Sequence, residues 1–578
     1  MTREFPHIRP QSKTAAAYGL RTLCVLTLGL ALAGASGCAH QPVQRSGPCD
    51  DFSLDVDRMW GDSKRREVRA GLESFAGESQ TVNVDRIITK MDDTTSDWVT
   101  MNRRACRDTL ERKTMPEEIY ARVSLCLDTA LIQQRTLITQ LESVDRSSYE
   151  HIDRAILDIS DHIATCQNQA VLAYYKQPEE TADPEAAKVA DQKTAEARTL
   201  IALGREEQAI SILHQATRAA AKSGDAHRKI DAGVASCHHA ALQGDYDEAL
   251  RLGKLALTSA KKLGYAIGEA DALTCLGTAE LRSGQYADAR RDLEAALRQR
   301  ESFFGADHPR VADAANRLGN LETAMADYRG AHDLYMRALD IWTATFGAED
   351  PITSRAYHNL GYAHIGLEDI NGAAAWYQKA IASETKSLGL DHPATALSEA
   401  NYAGVLIIQE RPDDAYALLN HAVEVQERIL GPGHPEVAVS YHGIGDVWAS
   451  RKGWDSALEW YTKALTLRKL ALGERHLDTA KTLHAMAIAY YRLKKLDQAL
   501  DFAKRSMAIR EELLGGENII TATSYFNLGL IYEKRKAYRD ALKWYEKSLV
   551  IEEAIRGPGH DLTNQTRQTV DRLRDLRR

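Results

Sequence analysis

The sequence predicts an all-α protein, a helical bundle followed by a long solenoid of stacked antiparallel helix pairs. Three columns of residues carry that prediction. Glycine recurs every 42 residues, at Gly305, Gly347, Gly389, Gly431, Gly473, Gly515 and Gly557. Three residues after each glycine stand His308, Asp350, His392, His434, His476, Asn518 and His560, and Pro309, Pro351, Pro393 and Pro435 follow. Alanine holds the third column, at Ala289, Ala331, Ala373, Ala415, Ala457, Ala499 and Ala541. A period kept without an insertion means one structural unit stacked on itself. Such an array offers a binding surface rather than a catalytic pocket.

In chain order, the first element is a leader. Arg3, Arg9, Lys13 and Arg21 precede an apolar run from Leu23 to Ala35 that is short for a membrane span, so residues 1–37 read as a signal peptide. The run closes on Ala35-Ser36-Gly37-Cys38, which resembles a bacterial lipobox, with alanine where leucine is usual. The resemblance implies lipidation of Cys38 as the mature N terminus, with residues 38–49 as a tether. Ala39 stands where lipoproteins retained in the inner membrane carry aspartate, which implies the outer membrane, facing the periplasm.

Residues 50–178 form a different unit. Trp60, Val68, Leu72 and Phe75 mark one helix, Val84 to Leu110 a second, Met115 to Leu141 a third and Asp153 to Tyr174 a fourth. No alternating strand pattern interrupts them, so a helical bundle is expected. Cys49, Cys106, Cys126 and Cys166 are an even set in an exported chain, which points to disulfides. Four cysteines allow three pairings. The expectation is Cys106 with Cys126, across a turn near Met115-Pro116, and Cys49 with Cys166. Cys237 and Cys275 are expected to be unpaired.

Residues 179–189 read as a linker. From 190 to 300 the step is 40 residues, with Ala209, Ala249 and Ala289 in one column and Cys237 aligned with Gly277, which suggests two divergent units. From 301 to 560 the step is 42. The first helix of each unit carries Leu318-Gly319, Leu360-Gly361, Ile444-Gly445, Met486-Ala487 and Leu528-Gly529 in register. The second carries small-apolar pairs such as Ala338-Leu339 and Ala464-Leu465, seven and eight residues after its alanine. These offsets place one apolar stripe on each helix. Two helices whose axes approach to about 8 Å leave no room for a large side chain at their crossing, which accounts for the glycine and alanine. Between units, glycine in the left-handed conformation is expected to end one helix and proline to open the next. The residue before the proline is then the N-cap. Asp350 and Asn518, the departures from histidine, are strong N-cap residues. Residues 561–578 are polar, with Val570, Leu573 and Leu576 at helical spacing, as a capping helix should be.

Tyr357-His358-Asn359-Leu360-Gly361-Tyr362 with Ala373, Tyr377 and Ala380 resembles the tetratricopeptide repeat in the longer form of kinesin light chains. Ser524-Tyr525-Phe526-Asn527-Leu528-Gly529 with Tyr532, Ala541, Tyr545 and Leu549 does so again. The resemblance implies a right-handed superhelix whose first helices line a concave groove. Upstream, Trp98, Cys106, the run from Ser124 to Asp128 and Cys166 resemble the segment that follows the membrane span in repeat-bearing serine/threonine kinases of myxobacteria. The kinase itself has no counterpart here, since no Gly-rich loop, His-Arg-Asp loop or Asp-Phe-Gly precedes that segment.

A formal net charge of −8 gives no reason to expect nucleic acid as a partner. No Gly-x-Ser-x-Gly, His-Glu-x-x-His or Cys-x-x-Cys gives the 19 histidines a catalytic context, so no enzyme, metal or cofactor is expected. On the first helices, positions −6, −3, +1 and +4 from the Leu-Gly glycine face away from the second helix. That stripe nominates Asn316, Asn320, Arg355, His358, Tyr362, His442, Asp446, Lys481, His484 and Tyr491 as a partner-binding groove. It is polar at both ends with a small apolar centre at Leu397, Ala400, Gly404 and Ile407, which suits an extended peptide anchored by one apolar side chain. The expected function is a lipid-anchored scaffold in envelope organisation or signalling that binds a peptide or protein. The alternative is a sensory ligand-binding or enzymatic activity in the 50–178 bundle, with the repeats as an accessory.

Overall fold

Glycine and histidine decide where each helix stops and the next begins. In the computed structural model, which describes residues 49, 52–76, 81–149 and 151–576, every regular element among the described residues is helical. Cys38 and the leader lie outside those residues. The N-terminal helices are α1 (Phe52–Trp60), α2 (Asp62–Ala76), α3 (Thr81–Leu110), α4 (Glu117–Leu141), α5 (Arg146–Tyr149), α6 (Ile152–Thr165) and α7 (Gln169–Leu172). Helix pairs follow: α8 (Pro184–Ala202) with α9 (Glu206–Ser223), α10 (Ala226–Leu242) with α11 (Tyr246–Leu263), and α12 (Ala266–Ser283) with α13 (Tyr286–Phe304). The 42-residue units are α14 (Pro309–Ala324) and α15 (Tyr328–Phe346), α16 (Pro351–Gly366) and α17 (Ile370–Ser387), and α18 (Pro393–Ile408) and α19 (Pro412–Ile429). They continue with α20 (Val437–Ser450) and α21 (Trp454–Leu472), α22 (Leu477–Arg492) and α23 (Leu496–Leu514), and α24 (Ile519–Lys534) and α25 (Tyr538–Ile555). Helix α26 (Asp561–Asp575) closes the array. Three pairs, not two, occupy the stretch before Gly305. Residues 179–189, expected as a linker, hold part of a 3-10 turn (Pro178–Glu180) and the start of α8.

The turns explain why the step changes from 40 to 42. In the short units Gly224 (φ 75°, ψ −8°) and Gly264 (φ 69°, ψ 27°) are left-handed, and the N-cap residue, Asp225 or Tyr265, comes next. In the long units the glycine behaves otherwise. Gly305 (φ 89°, ψ 162°), Gly347, Gly473 and Gly515 are extended at positive φ, a region open essentially to glycine alone, so the left-handed turn expected there is not what forms. The N-cap then lies three residues on rather than one, which supplies the two extra residues. His308 Nδ1 accepts the amide N–H of Arg310 at 3.2 Å, and His392, His434, His476 and His560 repeat the contact at 3.1–3.3 Å. Asp350 and Asn518 do it with a side-chain oxygen at 3.0 and 2.8 Å. An accepting Nδ1 must be unprotonated. Burial holds the His308 and His476 imidazoles below their usual range and brings His392 down to about 4.

Inside each pair, the alanine column is fully buried. The Leu-Gly glycine meets a tyrosine 16 residues on: Gly319 faces Tyr335, Gly361 faces Tyr377, Gly445 faces Tyr461 and Gly529 faces Tyr545, each so close that an added Cβ would stand 2.5–2.9 Å from the ring. Where alanine replaces the glycine, the residue 16 on is smaller, Leu419 after Ala403 and Ala503 after Ala487. First helices touch the first helix of the next unit, as α10 with α12 and α18 with α20, and so form the inner wall.

The N-terminal helices are docked on this array, and residues 48–578 form one compact unit. Lys90 pairs with Asp350 at 2.5 Å, Arg86 Nε donates to the Ser387 carbonyl at 2.8 Å, and the Tyr149 and His392 rings lie 5.6 Å apart. Farther upstream, Arg310 pairs with Asp161 at 2.5 Å, and Tyr174 Oη donates to the Gly264 carbonyl. These contacts run along the turns between units. The array also meets itself: Asn518 Nδ2 donates to the Met325 carbonyl at 2.8 Å, and Glu368 faces Arg556 and His560 at 3.6 and 3.3 Å.

The disulfides differ from the expected pairing. Cys49 is bonded to Cys106 and Cys126 to Cys166, with Cα atoms 5.6 and 5.7 Å apart, in place of Cys106–Cys126 and Cys49–Cys166. Helix rise explains it. Cys106 lies about 6 Å before the end of α3 and Cys126 about 14 Å past the start of α4, so the two are not level. Cys237 and Cys275, expected free, are bonded to one another between α10 and α12.

Candidate functional site

The inner wall brings the nominated residues onto one surface but gives them different work. Asn316 is buried and accepts from Asn359 Nδ2 of the next unit at 2.8 Å. His358, one unit along, and His484, four units along, take the same place: Asn401 Nδ2 approaches His358 Nε2 at 3.5 Å, and Asn527 Nδ2 lies 3.0 Å from His484 Nε2. These three residues are rungs between units. His358 Nδ1 also lies 2.9 Å from Ser398 Oγ. His442 has no such donor, because Ala485 stands where the asparagine would be. Its Nδ1 is buried without a hydrogen-bond partner, and its Nε2 is 3.6 Å from Asp446. Burial lowers His358 to about 4 and His484 to about 3, so both are neutral at physiological pH.

Tyrosines from the second helices reach through to the same wall. Tyr335 Oη donates to Asn320 at 2.8 Å and Tyr461 Oη to Asp446 at 2.6 Å. Arg355 stacks over the Trp342 ring at 4.9 Å with Asp313 at 3.8 Å, and burial brings its guanidinium down to about 10. Tyr362 and Lys481 are exposed, Ile488 lies between Lys481 and Tyr491 on the same stripe, and Tyr491 is half-buried. Lys481 is open to solvent yet crowded by neighbouring protein, which disfavours its charged form, with Arg468 adding to the effect.

Sequence reasoning missed a second set of polar residues behind this wall. Gln426, Arg468 and Arg510 are 42 apart on the second helices, all buried, and each meets a hydroxyl 14 residues on: Ser440 donates to Gln426 at 2.7 Å, Arg468 donates to Thr482 at 2.6 Å and Arg510 to Ser524 at 2.9 Å. Glu384 occupies the column one unit earlier, beside Ser398. Burial first, then Glu399, push its carboxyl well above the usual range, with Ser398 opposing. Ser398 therefore lies between an acid and His358, yet it is fully buried and the acid contacts the serine rather than the imidazole. That is not the order in which an acid orients a histidine to activate a nucleophile. The signal for the column is the Ser398, Ser440, Thr482, Ser524 series. Near the Cys126–Cys166 disulfide, His162 brings a ring nitrogen within 4.8 Å of both sulfurs, but the sulfurs are bonded to one another.

A family model described as tetratricopeptide repeat matches residues 268–344, 314–386, 392–469, 449–512 and 478–554. The chain carries tetratricopeptide repeats. No curated protein sequence matches it. Among solved structures, it is similar to BtubC from P. vanneervenii at 21% identity over 40% of this chain and 92% of that one, with a TM-score of 0.30. A Podosopora anserina putative kinesin light chain with nearly identical TPR-like repeats is similar at 20% identity, covering 36% and 98%, with a TM-score of 0.29. A Rap protein complexed with competence and sporulation factor is similar at 12% identity, covering 64% and 98%, with a TM-score of 0.49. The helix pairs α8–α9 and α10–α11 lie upstream of the family match, which begins in α12.

Proposed function

We propose that this chain is a lipid-anchored, extracytoplasmic tetratricopeptide scaffold that holds an extended peptide segment of a protein partner against its inner wall, in envelope organisation or signalling. One observation carries the groove reading: Tyr362, Lys481 and Ile488 are exposed on the inward stripe, whereas Asn316, His358 and His484 on the same stripe are occupied as rungs. An apolar side chain would rest on Tyr362 or Ile488, and a carboxylate would restore the disfavoured charge of Lys481. The test is affinity capture with the whole protein, followed by Tyr362→Ala, Ile488→Asp and Lys481→Glu. A captured partner should be lost from all three. If it is retained by both Ile488→Asp and Lys481→Glu, the partner binds elsewhere.

The anchor reading rests on Ala35-Ser36-Gly37-Cys38 and the apolar run before it. No helix among the described residues is long and apolar enough to cross a membrane. Cys38→Ser should move the protein to the soluble fraction, and an unlipidated variant that stays with membranes would refute the anchor at Cys38. A second reading, ligand sensing where the N-terminal helices meet the repeats, is favoured by a cavity at that junction.

A further inference from the structure

Between α4, α6 and the first helices of four consecutive units lies a cavity of about 120 Å³ with charged walls. Three of its four aspartates form a column of the repeat: Asp191 on α8, Asp231 on α10 and Asp271 on α12 are 40 apart, and Asp313, outside the cavity, continues the series at the 42 step. Most of the charges there are already engaged. Arg228 is bidentate to Asp191 at 2.7 and 2.8 Å and also reaches the Lys176 carbonyl. Arg310 holds Asp161, and Asp271 has Arg300 at 3.4 Å.

Three groups keep capacity for a ligand. The Arg198 guanidinium makes no side-chain hydrogen bond among the described residues, and its nearest carboxylate, Asp231, stands 3.6 Å away. Asp231 accepts one hydrogen bond, from Tyr265 Oη at 3.0 Å. Gln133, on α4, is buried, and its Oε1 has no donor. A donor placed against that buried oxygen would remove the cost of leaving it unpaired. Burial pushes the Asp231 carboxyl up to about 6 against the opposing pull of Arg198 and Tyr265.

The geometry points to a binding site for a small zwitterion, a free α-amino acid, with its carboxylate on Arg198 and its ammonium shared between Asp231 and Gln133 Oε1. The arrangement offers one multidentate donor and two acceptors across a space of amino-acid size, and its net charge is close to balanced, which selects against a simple anion or cation. Tyr265 and Ile267 supply the apolar part of the lining. Because α4 comes from the N-terminal helices and Arg198 and Asp231 from two separate repeats, an occupant would tie the docked helices to the array. The site is separate from the inward stripe around Lys481, so the two can fail independently.

The test is calorimetric titration of the whole protein with each of the twenty protein amino acids, then with the Nα-acetyl and carboxamide derivatives of any that bind. At least one free amino acid should bind, and each derivative, which removes one charge, should bind at least about tenfold more weakly, equal to ~1.4 kcal/mol. Asp231→Asn and Arg198→Gln should each lose binding by at least the same factor while keeping their helical circular dichroism. Gln133→Leu replaces the unpartnered oxygen without touching a charge and should also weaken binding, which keeps the test decisive if either of the others unfolds. No heat with any of the twenty, derivatives as tight as their parents, or binding unchanged in Gln133→Leu and in whichever charge variant folds would each overturn the assignment.

Discussion

The phenol ring of Tyr461 lies against Gly445 so closely that a Cβ built on the glycine would stand 2.5 Å from it. Elsewhere the chain solves the same contact with Ala403 over Leu419. Gly445→Ala should therefore lower stability by about 1–3 kcal/mol through overpacking. Adding Tyr461→Leu should recover part of that loss, although the bond from Tyr461 to Asp446 goes with the ring. A double-mutant cycle by urea denaturation measures the coupling, and simple additivity would show that glycine is not there to admit the ring.

Glu384 gives the fold a pH dependence of definite sign. Its folded carboxyl titrates well above the usual range, so the folded state keeps a proton that the unfolded chain releases. That contribution is complete below the unfolded carboxyl's pKa of about 4.3 and is lost as pH rises, by at most ~1.4 kcal/mol per pH unit, until the folded value is reached. Glu384→Gln places the residue found at Gln426 in the same column and cannot titrate. Its melting temperature should exceed that of wild type by a margin that widens from pH 5 to pH 8. A constant or shrinking margin would mean the carboxyl is not held protonated.

The turns inside the pairs store conformational strain. Ala326, Glu368, Glu410, Lys452, Lys494 and Lys536 recur every 42 residues at φ between 59° and 65°, where the short units use Gly204, Gly244 and Gly284. Lys494 is exposed, so Lys494→Gly should raise stability by up to about 1 kcal/mol, measurable by thermal denaturation.

Non-reducing peptide mapping should recover Cys49–Cys106, Cys126–Cys166 and Cys237–Cys275 as cross-linked pairs. Changing both Cys237 and Cys275 to serine opens a loop whose ends are 38 positions apart and should cost about 2–4 kcal/mol. Free thiols at Cys237 and Cys275 in the unreduced, unfolded protein would contradict the third pairing.

How much of this was legible depends on periodicity. Helix boundaries, caps and buried alanines repeat with one residue type, so the sequence displays them as columns. The Gln426, Arg468 and Arg510 column changes residue type from unit to unit and shows only through its serine and threonine partners. The aspartate column was hidden by the change of step between Asp271 and Asp313. Docking of the N-terminal helices has no period at all: Lys90 with Asp350 and Arg310 with Asp161 join residues far apart in the chain, and neither sequence neighbourhood announces the other. Disulfide pairing fails for the same reason, since it depends on how far along each helix a cysteine stands.

An open array can gain or lose a unit at its end with little consequence, because each unit touches only its neighbours. This one grips itself, through Asn518 on the carbonyl of Met325, 193 residues back. The interval between those residues is then no longer a free variable. Duplicating or deleting a single unit between them would carry Asn518 around the coil by one whole step and leave it opposite a different edge. Copy number, the quantity that repeat genes change most readily, is here fixed by geometry, and insertions should be tolerated only outside that interval.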